Sequence, residues 1–237
     1  MFVLLLGLLF PLAVAAGEGP AIAKQDWGFD GLHGQYDKAT VYRGYQVFTQ
    51  VCMACHSAKY VSHADLDRAG FTPEEIAALA KSMNLTTTDK LVSGLAPADA
   101  QEVYGKVPPD LSVITKARAG LADYTYAVLT GYSDDVEALA HAFPNSEVPA
   151  GAYFNTAFAG YAIAMPNPLP NADMVTYTDG TPATVPQMAH DVTVFLQWAA
   201  EPELIERKHL GVYVLLFLAI FTLLAYLTKK AIWRDVH

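Results

Sequence analysis

Cysteine is almost missing from this chain: Cys52 and Cys55 are the only two among 237 residues. So small a supply excludes a disulfide-stapled scaffold and argues against a zinc site built from two C-x-x-C pairs. Charge is scarce as well, at 16% of residues against a hydrophobic share of 53%. That balance is apolar for a soluble domain and points to membrane segments. Two stretches have no charged side chain at all, residues 1–16 and residues 210–228, and no basic residue stands ahead of Lys24. In the large region between them, residues 17–206, basic side chains are the minority: 10 against 23 acidic ones, a net of −13. Such a field disfavours nucleic acid and anionic lipid and favours a cationic partner. Solubility alone is the bland alternative, and charge by itself leaves both open. There is no internal repeat and no low-complexity tract.

Residues 1–16, MFVLLLGLLFPLAVAA, are interrupted by Pro11 and are short for a spanning helix, which needs about 20 apolar residues. They end in Ala13-Val14-Ala15-Ala16, small residues of the kind found at a signal-peptide cleavage site. The missing basic residues would be explained by a misassigned start or by a longer precursor. The expectation is a signal peptide over 1–16, with a retained N-terminal anchor as the alternative. Residues 210–228, LGVYVLLFLAIFTLLAYLT, are long enough to cross a bilayer core. Tyr213 and Tyr226 lie near the ends and Trp233 just beyond, where aromatic rings favour the interface. A buried core helix is disfavoured by so long an uninterrupted run between RKH and KKAIWR. Lys229, Lys230 and Arg234 follow the run and Arg207 and Lys208 precede it, which places the tail in the cytoplasm and the large domain outside. The expected division is a large domain over 17–206, a transmembrane anchor over 207–228 and a tail over 229–237.

The cysteines lie in VCMACHSAKY, residues 51–60, three apart, and His56 follows at once. A redox dithiol wants C-x-x-C after a strand in a βαβ setting, whereas the stretch before Cys52 reads as helix. A disulfide across so short a loop constrains the unfolded chain little. Covalent haem attachment has C-x-x-C-H as its signature. Both thiols add across the haem vinyl groups, and the thioethers then hold the next histidine under the ring, within reach of the iron. On a helical turn, residues three apart share a side. One covalent haem c is therefore expected on Cys52 and Cys55, with His56 as an axial metal ligand.

The other axial position has many candidates: His33, His63, His141, His190, His209 and His237, and Met53, Met83, Met165, Met174 and Met188. Met53 lies inside the motif, His63 is too near in sequence to reach the opposite face easily, and His209 and His237 belong to the membrane segment and tail. Met165 stands out in AGYAIAMPNPLP. Prolines at 166, 168 and 170 stiffen the backbone after it, as suits a loop that must hold a thioether at a metal. A core-filling methionine is the alternative, and local context leaves both open.

Hydrophobic spacing predicts a helix over 40–55, with Val41, Tyr45, Phe48 and Cys52 on one stripe and Thr40 as cap. Thr72-Pro73-Glu74-Glu75 reads as a cap, a proline and acids opening a second helix to about Met83. Short helices are expected over 97–104 and 121–131, the latter ending at Gly131. Residues 132–186 are rich in Pro, Gly, Asn and Asp and read as long loops, with a hairpin near Asp179-Gly180. HDVTVFLQWAAEP, residues 190–202, reads as an amphipathic helix feeding the span.

The segments DWGFDGLHGQYDKATVYRGYQV, CMACHSAKY, VPPDLS, DYTYAVLTGY, GAYFNTAFAGYAIAMP, DGTPAT, DVTVFLQWAAEP and RKHLG together resemble the cytochrome c1 family, the haem subunits of quinol–cytochrome c oxidoreductase. The resemblance runs through nearly the whole chain beyond the first 16 residues. It implies a mainly α fold: a class I-like cytochrome c domain with long loop insertions plus one C-terminal transmembrane helix. Gly44 and Phe48 resemble the first-helix pair of small cytochromes c, with Phe195 and Trp198 on the helix that would cross it. The resemblance implies that Met165 is the sixth ligand, that Arg118 faces a haem propionate, that Tyr124 lies in the haem crevice and that Pro109 packs on the ring. It further implies a bacterial inner-membrane location with a periplasmic haem domain, in a dimeric complex. The partners it implies are a cytochrome b subunit, a Rieske iron–sulfur protein as donor, and a soluble or membrane-tethered cytochrome c as acceptor. Such a chain is an electron carrier rather than an enzyme on its own. Two departures stand out. Tyr104-Gly105-Lys106 replaces the usual Asn-Gly-Ala before PPDLS, and no cysteine is spare for the disulfide that braces the methionine loop in some members, so packing alone is expected to hold it. A haem peroxidase or reductase subunit, or a haem sensor, is the rival reading. Each would want an open iron position.

Overall fold

The structure, a computed structural model, describes residues 20–142 and 147–235. The expected signal peptide therefore lies outside the described residues. Helix α1 runs over Lys38–Gln50. Its cap is Asp37 rather than Thr40, because the Asp37 carboxylate accepts from both the Thr40 amide (2.8 Å) and its hydroxyl (2.7 Å). Thr40 serves the cap as a donor from the first turn. The helix also stops earlier than its stripe suggested, and Cys52–Ala54 tighten into a single 3-10 turn. Helix α2, Pro73–Ser82, opens as expected on Thr72, whose side chain and that of Glu75 cap each other's backbone reciprocally. Helices α3 (Pro97–Tyr104) and α4 (Leu121–Thr130) also fall where spacing put them.

The segment 132–186 is more ordered than its composition suggests. It contains α5, Val136–Ala142, and a small antiparallel pair. The expected hairpin near Asp179-Gly180 is not formed among the described residues. The pairing lies earlier, where Tyr153–Phe154 and Ala162–Ile163 register Tyr153 against Ile163. Asp179 instead turns the chain, accepting from the Thr181 amide at 2.9 Å, while Gly180 takes a positive φ of 77° that suits glycine. A second short pair, Ala58–Ser62 with Lys90–Leu91, was also not legible from spacing. Among the described residues the strands are β1 (Ala58–Ser62), β2 (Lys90–Leu91), β3 (Tyr153–Phe154) and β4 (Ala162–Ile163).

Helix α6 spans Val185–Ala200, starting earlier than expected because the Thr184 side chain caps it and Pro186 occupies its first turn. It is the central element: Met188, Val192, Phe195 and Trp198 are fully buried, and α1 packs across it. Gly44 is the crossing point. A Cβ there would collide with the Asp191 carbonyl and come within 2.6 Å of the Phe195 Cβ, so only glycine permits the approach. Phe48 then meets Phe195 ring to ring at 5.3 Å. Beside this contact Arg43 donates to the fully buried Asp191 carboxylate at 2.8 Å and to Asp179 at 2.9 Å. Burial pushes the Asp191 carboxyl up, but hydrogen bonds from His190, Arg43 and Gln187 outweigh it and hold the group below its ordinary range. The crossing thus combines apolar contact with a satisfied buried charge.

Helix α7, Leu204–Ile232, is one continuous helix reaching past both ends of the expected 207–228 span, and the mean hydropathy of its most apolar 18-residue stretch is 2.5. It is the one described helix long and apolar enough to cross a membrane, and its large apolar side chains from Leu210 to Trp233 are exposed. Its first turns are tied to the domain. Lys208 donates to the carbonyls of Phe29 (2.7 Å) and Gly34 (3.0 Å), and Tyr36 reaches the carbonyls of Gln197 and Glu201, both at 3.2 Å.

Candidate functional site

The two cysteines come together on the turn that ends α1. The amides of Cys55 (3.1 Å) and His56 (2.8 Å) both bond back to the Cys52 carbonyl, which fixes thiols and imidazole on one compact turn. Both thiols are free and half-buried. Burial pushes the Cys52 thiol up to about 12, as its packing against the main core predicts.

His56 is oriented by a segment far away in sequence. Its Nδ1 lies 2.8 Å from the Pro109 carbonyl, so it carries the proton and Nε2 is left as the lone-pair nitrogen. A metal-binding histidine is commonly set up in this way. Burial keeps the ring below its ordinary pKa, against the opposing pull of the Pro109 carbonyl and the Asp110 carboxylate. The segment that supplies Pro109 is itself locked to β1. Asp110 accepts from the Lys59 amide at 3.0 Å, Ser112 from the Tyr60 amide at 3.0 Å, and the Leu111 amide donates to Ser57 at 2.7 Å. VPPDLS thus acts as a splint that presents the Pro109 carbonyl to the imidazole. Pro109 itself is exposed, and it meets His56 through its main-chain carbonyl.

Met165 lies two residues past β4. It belongs to a second apolar cluster around Val128, Ala157 and Ile163, which also takes in Tyr124, Tyr132 and Phe158. This cluster is distinct from the main core that holds Cys52, and α4 contributes to both, with Ala122 and Tyr126 in one and Tyr124 and Val128 in the other. Met165 is half-buried. The loop is held by more than packing: the Tyr132 hydroxyl donates to the Met165 carbonyl at 2.9 Å, which corrects the expectation of packing alone.

Four of the other ligand candidates have visible employment. His63 is fully buried, 2.9 Å from the Tyr45 hydroxyl, and Met83 sulfur accepts from the same hydroxyl at 3.3 Å. His190 stacks on Trp27 at 5.2 Å, and Met188 fills the core under α6. Arg118 is exposed; its Nη1 donates to the Ala117 carbonyl at 3.0 Å, and its charge acts on the Tyr124 phenol, whose pKa burial raises. Tyr104, from the segment that departs from the usual pattern, places its hydroxyl 3.9 Å from the Cys55 sulfur. Sequence reasoning named neither Tyr104 nor the Tyr132 and Asn155 pair as site residues. Asn155 was detectable as a polar residue set between Tyr153-Phe154 and Ala157-Phe158, where an apolar one would be expected of a core strand.

The donor set suits a c-type haem: two thiols on one turn, a neutral imidazole with its Nδ1 engaged, and a thioether on a separate loop. Together these features define a class, a helical domain with a C-x-x-C-H turn carried on one long apolar helix. The Cytochrome C1 family model matches residues 27–236, and the chain belongs to that family. It is 40% identical to cytochrome c1 of Rhodospirillum rubrum, over 94% of this chain and 92% of that one. It is 37% identical to the mitochondrial cytochrome c1, a heme protein, of Saccharomyces cerevisiae, over 94% of this chain and 75% of the relative. It is also 36% identical to a cytochrome b/c1 of Bradyrhizobium diazoefficiens, over 89% of this chain and 35% of that longer one.

Proposed function

We propose that this chain is the haem-bearing electron carrier of a membrane quinol–cytochrome c oxidoreductase. One haem c would be held by Cys52 and Cys55, with His56 and Met165 as axial ligands. When bound, the haem supplies one-electron redox chemistry at its iron. Everything else is the work of the chain's own residues. The turn at 52–55 fixes the attachment points. Pro109 sets the His56 tautomer. The apolar cluster beside Met165 would limit water at the iron, and a neutral thioether there would favour the ferrous state and a high potential. Arg118 would neutralise a propionate and Tyr124 would line the crevice wall.

The observation that carries this reading is the His56 Nδ1 contact with the Pro109 carbonyl at 2.8 Å, because it leaves Nε2 as the one nitrogen free for a metal. The donor would be a Rieske iron–sulfur protein and the acceptor a cytochrome c, soluble or tethered. A relative whose name joins b and c1 supports a cytochrome b subunit as neighbour, within a dimeric complex. The acidic surplus of residues 17–206 would draw a basic acceptor. Residues 1–16 would direct export, 17–206 would form the periplasmic haem domain, 207–228 the anchor and 229–237 a cytoplasmic tail. The test is the optical spectrum of the protein extracted from membranes. A low-spin oxidised spectrum with the weak long-wavelength methionine–iron band is expected, with no carbon monoxide binding after reduction. A high-spin spectrum or ready carbon monoxide binding would point to a peroxidase or sensor instead.

A further inference from the structure

The 155–165 loop is pinned to the end of α4 by a set of hydrogen bonds that packing does not require. Helix α4 ends at Gly131, whose carbonyl accepts from the Thr156 amide at 2.8 Å and the Thr156 hydroxyl at 3.1 Å. A Cβ on Gly131 would lie 2.8 Å from the Asn155 Oδ1, so a larger residue would displace that side chain. Asn155 is fully buried and divides its side-chain amide between α4 and the loop. Its Nδ2 donates to the Val128 carbonyl at 2.8 Å, and its Oδ1 accepts from the amides of Ala157 (3.0 Å) and Phe158 (3.1 Å). Its own amide donates to the Tyr161 carbonyl at 3.0 Å, holding a residue with a positive φ of 57° that a tyrosine adopts only under constraint. The next residue after Gly131, Tyr132, pairs with Asn155 as an isolated bridge and sends its hydroxyl to the Met165 carbonyl.

We infer that Tyr132 and Asn155 are positioning residues that hold the Met165 thioether in place, a polar brace where a disulfide is impossible with Cys52 and Cys55 committed elsewhere. This rests on the reading of Met165 as an axial ligand. The physical logic is that a buried amide leaves unpaired groups behind if the loop swings away, so the loop stays. The hydroxyl of Tyr132 acts on the ligand's own peptide unit, whereas Asn155 acts on the hairpin that delivers it. Tyr132 therefore tunes and Asn155 secures.

The probe is imidazole, titrated into the oxidised protein while the long-wavelength methionine–iron band is followed, with the unfolding midpoint measured in parallel. Tyr132→Phe removes one hydroxyl and keeps the ring. It is expected to lower the imidazole concentration that half-removes the band by roughly three- to tenfold, the worth of one hydrogen bond. Asn155→Ala leaves several buried groups unpaired and is expected to lower it on the order of a hundredfold, or to abolish the band at rest. If Tyr132→Phe and Asn155→Ala both stay within about twofold of the parent while Met165→Leu loses the band, the brace is refuted and the ligand reading stands. If Met165→Leu keeps the parent's band, the ligand reading fails and the brace with it. Should Asn155→Ala fail to fold, Tyr132→Phe alone decides.

Discussion

The two halves of the proposed site are built on different principles. On the cysteine side, attachment thiols and imidazole lie within five consecutive residues, on a turn that continues α1, and α1 is clamped against α6 by an apolar crossing. On the methionine side the ligand candidate sits on a loop with little regular structure, positioned by single hydrogen bonds from a helix end more than thirty residues away. A site assembled this way has one half that stands or falls with the fold and another that can change while the fold persists. Under the proposed ligation, a fixed imidazole and an adjustable thioether would suit a carrier whose potential depends on the weaker ligand.

That contrast can be broken first on the rigid side. Arg43→Leu takes the cation from the fully buried Asp191 carboxylate and leaves it Gln187 and His190, and loss of one partner of a buried pair costs about 3–5 kcal/mol. A large drop in the denaturant midpoint is expected, with the optical spectrum of the surviving folded protein unchanged. Gly44→Ala is the next largest effect. Its Cβ meets backbone and the Phe195 Cβ, and overpacking of this kind costs about 1–3 kcal/mol. It too should register in an unfolding curve and leave the methionine–iron band in place. Substitutions at Tyr132 belong at the small end, where the spectrum moves and global stability hardly does. Should Arg43→Leu or Gly44→Ala displace the methionine before unfolding the domain, the two sides would not be separable as described.

The same contrast explains what could be read in advance. The C-x-x-C-H turn, the α2 cap at Thr72 and the stop at Gly131 are local signals, carried by neighbouring residues. The Gly44–Phe195 contact was foreseeable only through resemblance, since nothing near Gly44 in sequence names its partner. Pro109's carbonyl serving His56 was not foreseeable, because a backbone group leaves no trace in residue type. The β3–β4 pair was hidden in Gly- and Pro-rich sequence, and it was the Asp179-Gly180 dipeptide, the stronger hairpin signal, that misled. There the aspartate serves a turn and the Arg43 ion pair instead. Asp37 displaced Thr40 as cap because a carboxylate one turn earlier accepts two donors at once.

The central claim is that the sulfur of Met165 completes the coordination opposite His56. Its most direct measurement is the oxidised optical spectrum of the Met165→Leu protein beside the parent. The account predicts that the variant keeps its covalently attached haem, loses the weak long-wavelength band and gains carbon monoxide binding when reduced. An unaltered spectrum in the variant would contradict it.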